Sequence, residues 1–248
     1  MTGKGAPEMI KVKRMTKKIP GGPKVLSDIS FEAFNGEFIA ITGASGSGKS
    51  MLLKCLAMRE QWTGEYVVDG VDIMGNKFTG TQKVRREFAY LEEKPSLNPN
   101  KTALKNVLIG SRYQTPLWRM VTGMVRNDDY MGAMDMIEKV GLLDKAKQKT
   151  DKMSGGEKQR VAIARALVHG AKVLLADEPV SGLDPHAAEE ILKDLKALCK
   201  QQRIIVICVL HQADWAERFA DRIWGLSGGE LVIDVRGRRL TQREKLML

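Results

Sequence analysis

Short, wholly apolar runs alternate along this chain with stretches whose apolar positions recur every three or four residues. Residues 37–42 carry Phe38, Ile39, Ala40 and Ile41, the pattern of a strand buried on both faces. They lead through a glycine-rich turn into an amphipathic segment at 49–58, a strand–loop–helix. Residues 66–71 and 88–91 are further strand candidates, and 172–176 and 204–210 repeat the buried-strand pattern. Between those last two lies a helix at about 187–199, with Ile191, Leu192, Leu195 and Leu198 on one face. Residues 223–226 and 231–235 read as short closing strands. Strands alternating with helices predict an α/β fold with a largely parallel sheet covered on both faces.

The middle of the chain follows another rule. From Pro95 to about Val168 no good strand pattern occurs, whereas 102–109, 130–140 and 157–168 all have helical spacing. This predicts a helical lobe inserted into the α/β core. The stretch between its first two helices holds Arg112, Tyr113, Pro116, Trp118, Arg119 and Arg126, a combination suited either to a docking surface or, for Trp118, to packing against a helix end.

Composition narrows the function classes. The chain has 248 residues, 43% of them hydrophobic, enough for one large α/β domain with an inserted lobe. Its longest apolar run, 204–210, is far short of a bilayer span, and the first residues lack the apolar stretch of a signal peptide. Cys55, Cys199 and Cys208 are scattered and without metal-ligand spacing, as expected of buried thiols in a reducing compartment. The net charge of +10 is concentrated near both ends, at Lys11, Lys13, Arg14, Lys17 and Lys18 and at Arg236, Arg238 and Arg239. That balance permits nucleic acid, an anionic membrane surface or simply a solvated face, the commonest origin of a charge run, and charge alone does not choose among them. Aromatic residues are sparse and do not alternate with basic ones, which argues against single-stranded nucleic acid as a partner.

Three motifs carry chemistry. Gly43-Ala44-Ser45-Gly46-Ser47-Gly48-Lys49-Ser50 matches the P-loop pattern between a strand and a helix. Its glycines let backbone N–H groups wrap phosphate oxygens, Lys49 supplies positive charge, and Ser50 offers a hydroxyl to Mg²⁺. Val173-Leu174-Leu175-Ala176-Asp177-Glu178 is a buried strand that ends in two carboxylates. Asp177 is placed for the metal, and Glu178 for taking a proton from attacking water. Ser154-Gly155-Gly156-Glu157 opens a helix as a capping box, and its glycines would let an anion approach the helix end closely. One γ-phosphate does not need two such surfaces in one chain; a head-to-tail pair of chains does.

These motifs, with Ser181-Gly182-Leu183-Asp184 and His211 following in order, resemble the ATP-binding cassette ATPases over about residues 9–235. The resemblance implies a P-loop NTPase core with a mostly parallel sheet, an N-terminal antiparallel β portion and an inserted helical lobe. It implies one nucleotide-binding domain over residues 1–248, its core at about 9–94 and 169–236 and its lobe at about 95–168. By the same resemblance Ser154 to Glu157 would contact the γ-phosphate held by the other protomer of an ATP-bound homodimer. Asp184 would line the dimer interface, and His211 would link the γ-phosphate to the general base Glu178. Within the family, 107–112, 115–119, Leu210-His211-Gln212-x-Asp214 and 220–226 look like the ATPases of phosphonate importers.

Two positions depart from the family pattern. Where an aromatic residue usually stacks on adenine, this chain offers Ile19, which implies weaker or less base-selective nucleotide binding. Where a glutamine usually senses metal and water, alignment on residues 88–91 places Glu93. Glu93 would then share the metal site with Asp177 and Glu178. Two like charges about 4 Å apart repel by about 4 kcal/mol at an effective dielectric near 20. A steeper Mg²⁺ requirement or a shifted pH optimum is expected.

The reading is an ATP-hydrolysing importer subunit using ATP and Mg²⁺, peripheral on the cytoplasmic face of the cell (inner) membrane. Its implied partners are transmembrane permease subunits and an extracytoplasmic substrate-binding protein, and its implied cargo is phosphonate or a related phosphorus oxyanion. The basic termini keep a second reading open: a non-transport ATPase acting as an ATP-switched partner in a soluble or nucleic-acid-associated complex.

Overall fold

The computed structural model describes residues 8–111 and 127–248. The Trp- and Arg-containing stretch from Arg112 to Arg126 lies outside the described residues. The chain opens with two long strands, β1 (Glu8–Lys18) and β2 (Lys24–Phe34), paired antiparallel. After β3 (Phe38–Thr42) and α1 (Lys49–Leu56), the strands β4 (Thr63–Val68) and β5 (Val71–Asp72) complete a four-stranded antiparallel sheet in the order β2-β1-β4-β5. The apolar run at 66–71 is therefore two strands, because Asp69 and Gly70 both take positive φ and reverse the chain.

A second, six-stranded sheet carries the site. Its strands are β3, β6 (Phe88–Leu91), β7 (Val173–Ala176), β8 (Ile205–Val209), β9 (Arg222–Ser227) and β10 (Glu230–Arg236), in the order β10-β9-β3-β8-β7-β6. All neighbours except the β9–β10 hairpin run parallel. Every residue of β3, β7 and β8 is buried, as their unbroken apolar patterns require. Alternation sorts these residues into two cores. Ile39, Ile41, Val173, Leu175, Ile207 and Val209 face α1 and the antiparallel sheet. Phe38, Ala40, Leu174, Ala176, Val206 and Cys208 face the helices on the other side.

Helix α2 (Lys77–Glu87) joins the α1 side through buried Val84, whereas α3 (Ala103–Ser111), α4 (Asn127–Lys139), α5 (Gly155–Leu167), α6 (Pro185–Gln202) and α7 (Ala213–Phe219) form the opposite side, and the short α8 (Gln242–Lys245) follows β10. Helices α3, α4 and α5 pack on one another, and among the described residues 95–168 there is no strand. Residues Leu143–Lys145 and Thr150–Lys152 add single 3₁₀ turns. Helix α2 has no apolar stripe to announce it: KFTGTQKVRRE is largely polar, and Phe78 is exposed. It is capped by Asn76, whose side chain accepts from the Thr79 N–H.

Two long-range attachments hold the frame. The C-terminal carbonyls of the eight-residue helix α1 are met by buried aromatic donors: Trp62 Nε1 donates to Cys55 O and Tyr66 Oη to Leu56 O, each at 2.9 Å. Arg222, buried at the start of β9, donates to both carboxylate oxygens of Asp234 at 2.5 Å and to Glu32 O at 2.6 Å. It thereby ties the β9–β10 hairpin to β2.

Candidate nucleotide site

The carboxyl ends of β3, β7 and β8 lie side by side, which is where open α/β sheets bind ligands. The loop after β3 is the P-loop. Gly43, Gly46 and Gly48 all have positive φ, and a side chain on Gly43 would stand 2.1 Å from Leu226 O. Glycine there is a steric requirement. Lys49 is buried, and its Nζ donates to Gly43 O at 2.9 Å and Ala44 O at 2.8 Å. Burial lowers its pKa, while Glu178 and Asp177 act in the opposite sense. Ser47 Oγ is buried and has no hydrogen-bond partner among the described residues. A glycine cradle enclosing a buried ammonium and an orphaned hydroxyl fits a polyphosphate.

The second element meets the first by parity. Leu175 faces the α1 side of the sheet, so Asp177, two residues on, leaves the strand toward α1. Ser50 Oγ donates to Asp177 Oδ1 at 2.8 Å, joining the start of α1 to the end of β7. A hydroxyl and a carboxylate at this separation are hard oxygen donors of the kind that hold Mg²⁺ together with substrate phosphates. Asp177 Oδ2 accepts from Tyr90 Oη at 3.1 Å, a contact that the motifs did not announce. The only hint in the sequence was a hydroxyl-bearing aromatic on the neighbouring strand. Burial raises the Tyr90 pKa and adjacent Asp177 raises it further, so the phenol stays protonated as the donor.

Glu178 follows with φ +49, a turned backbone at the strand exit. Its Oε1 lies 2.6 Å from His211 Nε2 beyond β8. The pair opens onto a cavity of about 290 Å³ lined also by Ser181, Leu183, Gln212 and Trp215. Glu93 lies next to this region: Ser181 Oγ donates to its Oε1 at 3.3 Å. Among the described residues no hydrogen bond joins Glu93 to Asp177 or Glu178. Glu92 pairs with Arg59 instead, at 3.2 Å. Ile19 is exposed in the turn between β1 and β2.

Ser154 and Glu157 form the capping box at the start of α5, with Ser154 N–H donating to Glu157 Oε2 at 2.9 Å and Glu157 N–H to Ser154 Oγ at 3.3 Å. Lys145 also pairs with Glu157 and, with the Ser154 N–H, holds that carboxyl below its ordinary range. Gly155 faces the tip of Leu183, and Gly156 faces Ala187. Asp184 caps α6, accepting from the Ala187 N–H at 3.0 Å. Among the described residues no hydrogen bond or ion pair joins Ser154–Glu157 to the P-loop. The structure thus gathers Lys49, Ser50, Asp177, Glu178 and His211, while the helix start stands apart with its own partners.

Fold and site together define a P-loop nucleotide hydrolase. Comparisons with known proteins make the class specific. The family described as ABC transporter matches residues 26–181. The phosphonates import ATP-binding protein PhnC of Lactococcus lactis subsp. cremoris is 35% identical over 235 residues, covering 94% of this chain and 96% of that protein. Among solved structures, cbiO1 of Clostridium perfringens, described as part of the ABC transporter complex cbiONQ, superimposes with a TM-score of 0.82 at 26% identity, covering 93% of this chain and 89% of that one. A dimeric ATP-binding cassette in a post-hydrolysis state bound to ADP and Pi gives 0.75 at 31% identity, covering 94% of this chain and all of that one. The chain belongs to the ABC transporter family, and it is an ATPase of that family.

Proposed function

We propose that this chain is the ATP-hydrolysing subunit of an importer for phosphonate or a related phosphorus oxyanion. The observation that carries the ATPase chemistry is the pair of contacts at the strand ends, Ser50 to Asp177 and Glu178 to His211, beside the buried Lys49. The cargo rests on similarity along nearly the whole chain to a protein named for phosphonate import.

In this reading the amides of Gly43 to Ser50 (with Ala44, Ser45, Gly46, Ser47 and Gly48 between) cradle the ATP phosphates, and Lys49 turns from its loop carbonyls to the β- and γ-phosphates. Ser50 and Asp177 hold Mg²⁺, with Glu93 as an additional carboxylate at the edge of that set. The ion supplies neutralisation of charge on the phosphate oxygens. Glu178 takes the proton of the attacking water, and His211 fixes the Glu178 carboxylate while reaching toward the γ-phosphate. Ser154, Gly155, Gly156 and Glu157 complete the site of a neighbouring chain, so that ATP draws two copies into a homodimer. Residues 1–248 act as one nucleotide-binding domain, with the core and lobe divided near residues 95 and 168.

A groove of about 800 Å³ between the sheet and the lobe suits a permease segment. Met58, Val84, Phe88, Leu91 and Ile109 supply apolar lining, and Arg85, Arg165 and Glu92 supply charge. Among the described residues no helix is long and apolar enough to cross a membrane. In this reading the subunit works peripherally on the cytoplasmic face, with permease subunits in the membrane and a substrate-binding protein beyond it. Copurification from membranes tests the assignment. A multi-span membrane partner and phosphonate-stimulated ATPase activity in the assembled complex are expected. Recovery with a soluble enzyme complex or with nucleic acid would overturn transport.

A further inference from the structure

Asp177 receives a hydrogen bond on each oxygen. Ser50 on α1 donates to Oδ1 at 2.8 Å, and Tyr90 on β6 donates to Oδ2 at 3.1 Å. Strand register explains the second contact. Tyr90 pairs with Leu175, so its ring lies on the face from which Asp177 emerges, and the Asp177 N–H donates to Leu91 O at 2.9 Å. The ring is held in turn by Arg59, whose guanidinium lies 4.1 Å from its centroid, and Arg59 pairs with Glu92 at 3.2 Å. Arg59, Tyr90 and Glu92 all line the large groove. One aromatic side chain thus touches the groove with its ring and the metal-site carboxylate with its hydroxyl.

We propose that Tyr90 is a positioning residue for Asp177, fixing the carboxylate plane for the divalent cation, and that Arg59 ties this device to the groove. The proposal rests on the nucleotide-site reading above. A carboxylate has about four acceptor positions. The two donors occupy one on each oxygen and leave the others for the cation and its waters. Donors on separate elements, α1 and β6, also prevent the carboxylate from rotating. Removing such a partner of a metal ligand costs roughly 10- to 100-fold in metal affinity. A groove occupant that displaced Arg59 would loosen the ring and with it Asp177, so the groove and the metal would sense each other.

The test is equilibrium binding of a fluorescent ATP analogue to the full chain as Mg²⁺ is titrated, with a parallel measurement in EDTA. Tyr90→Phe should raise the half-saturating Mg²⁺ concentration about tenfold. Binding in EDTA and the melting temperature should stay at wild-type values. Arg59→Met should raise the Mg²⁺ midpoint in the same direction by a smaller factor. An unshifted midpoint in Tyr90→Phe overturns the proposal. So does equal weakening with Mg²⁺ and with EDTA, because a merely structural role would produce it. If Tyr90→Phe does not fold, the Arg59→Met titration decides alone, and a wild-type midpoint there overturns the coupling. Wild-type protein whose nucleotide binding ignores Mg²⁺ overturns the underlying site reading, an outcome distinct from a Tyr90→Phe protein that merely matches it.

Discussion

At the strand ends, Ser50 reaches Asp177 across 127 residues of sequence. At the start of α5, Ser154 and Glu157 satisfy each other across three. Both regions carry phosphate-binding motifs, yet they are built by opposite means. The first depends on β3, β7 and β8 lying in register, and apart from Lys49, which rests on its own loop carbonyls, its contacts join segments far apart in the chain. The second is complete as a helix cap wherever the helix happens to be. Its remaining resource is the pair of glycine amides at the first helical positions, which a helix cannot satisfy internally. A site made by long-range register suits catalysis, which needs fixed distances. A locally finished surface suits presentation to another chain, because it keeps its shape while unoccupied.

The strongest consequence falls on the catalytic side of this contrast. Glu178→Gln should lower turnover by about 10²- to 10⁴-fold, the usual contribution of a general base, while ATP still binds and the dimer persists. Steady-state hydrolysis and sizing with ATP would show it, and near-normal turnover removes Glu178 from its role.

The next test mixes chains. Lys49→Ala and Gly155→Val should each be almost inactive alone, and a mixture should regain hydrolysis by forming one composite site with both halves intact. The Gly155 change is suitable because a side chain there first meets only the flexible tip of Leu183, at 3.0 Å. Parents that stay inactive on mixing would show that the two motifs do not serve different chains.

A smaller change sharpens the catalytic side. Glu93→Gln removes a carboxylate near Ser181 and should ease the Mg²⁺ requirement a few-fold or move the pH optimum, by relief of like-charge repulsion. Superimposable Mg²⁺ and pH profiles would dismiss Glu93 from the metal set.

The smallest effect concerns stability of the helix start. The Glu157 pKa is lowered first by Lys145 and then by the Ser154 N–H. Its stabilisation is therefore fully present above the ordinary value of 4.5 and is lost as pH falls through the lowered one. Glu157→Gln should cost about 0.5–1 kcal/mol at neutral pH, discounted for solvent screening. Denaturant melts should show the gap to wild type closing on acidification. A gap independent of pH would mean that charge plays no part in the cap.

Legibility in the sequence followed the same local and long-range division. Helix α5 and its capping box were readable because the cap needs only four consecutive residues. The buried strands β3, β7 and β8 were readable because burial on both faces leaves an unbroken apolar run. Helix α2 was not, since its polar surface gives no periodicity and its cap is a single Asn76. Helix α7 is only seven residues long, and its buried Ala216 and Phe219 gain meaning only against the core they meet. The bonding role of Arg222 was not readable either, because pairing within one sheet brings Asp234 and Glu37 to it and packing of the other sheet brings Glu32.

The site divides along that line too. Which groups are present, a glycine cradle, a lysine, two consecutive carboxylates and a capped helix, follows from the order of residues, because each is a local arrangement of side chains and backbone. Which of these groups touch was settled by packing. The parallel register of β6 with β7 put Tyr90 on Asp177, the placement of β8 beside β7 put His211 on Glu178, and the loop beyond Glu178 brought Ser181 to Glu93. Such contacts depend on sheet order and face parity, which pack segments far apart in the chain and leave no mark in either segment alone.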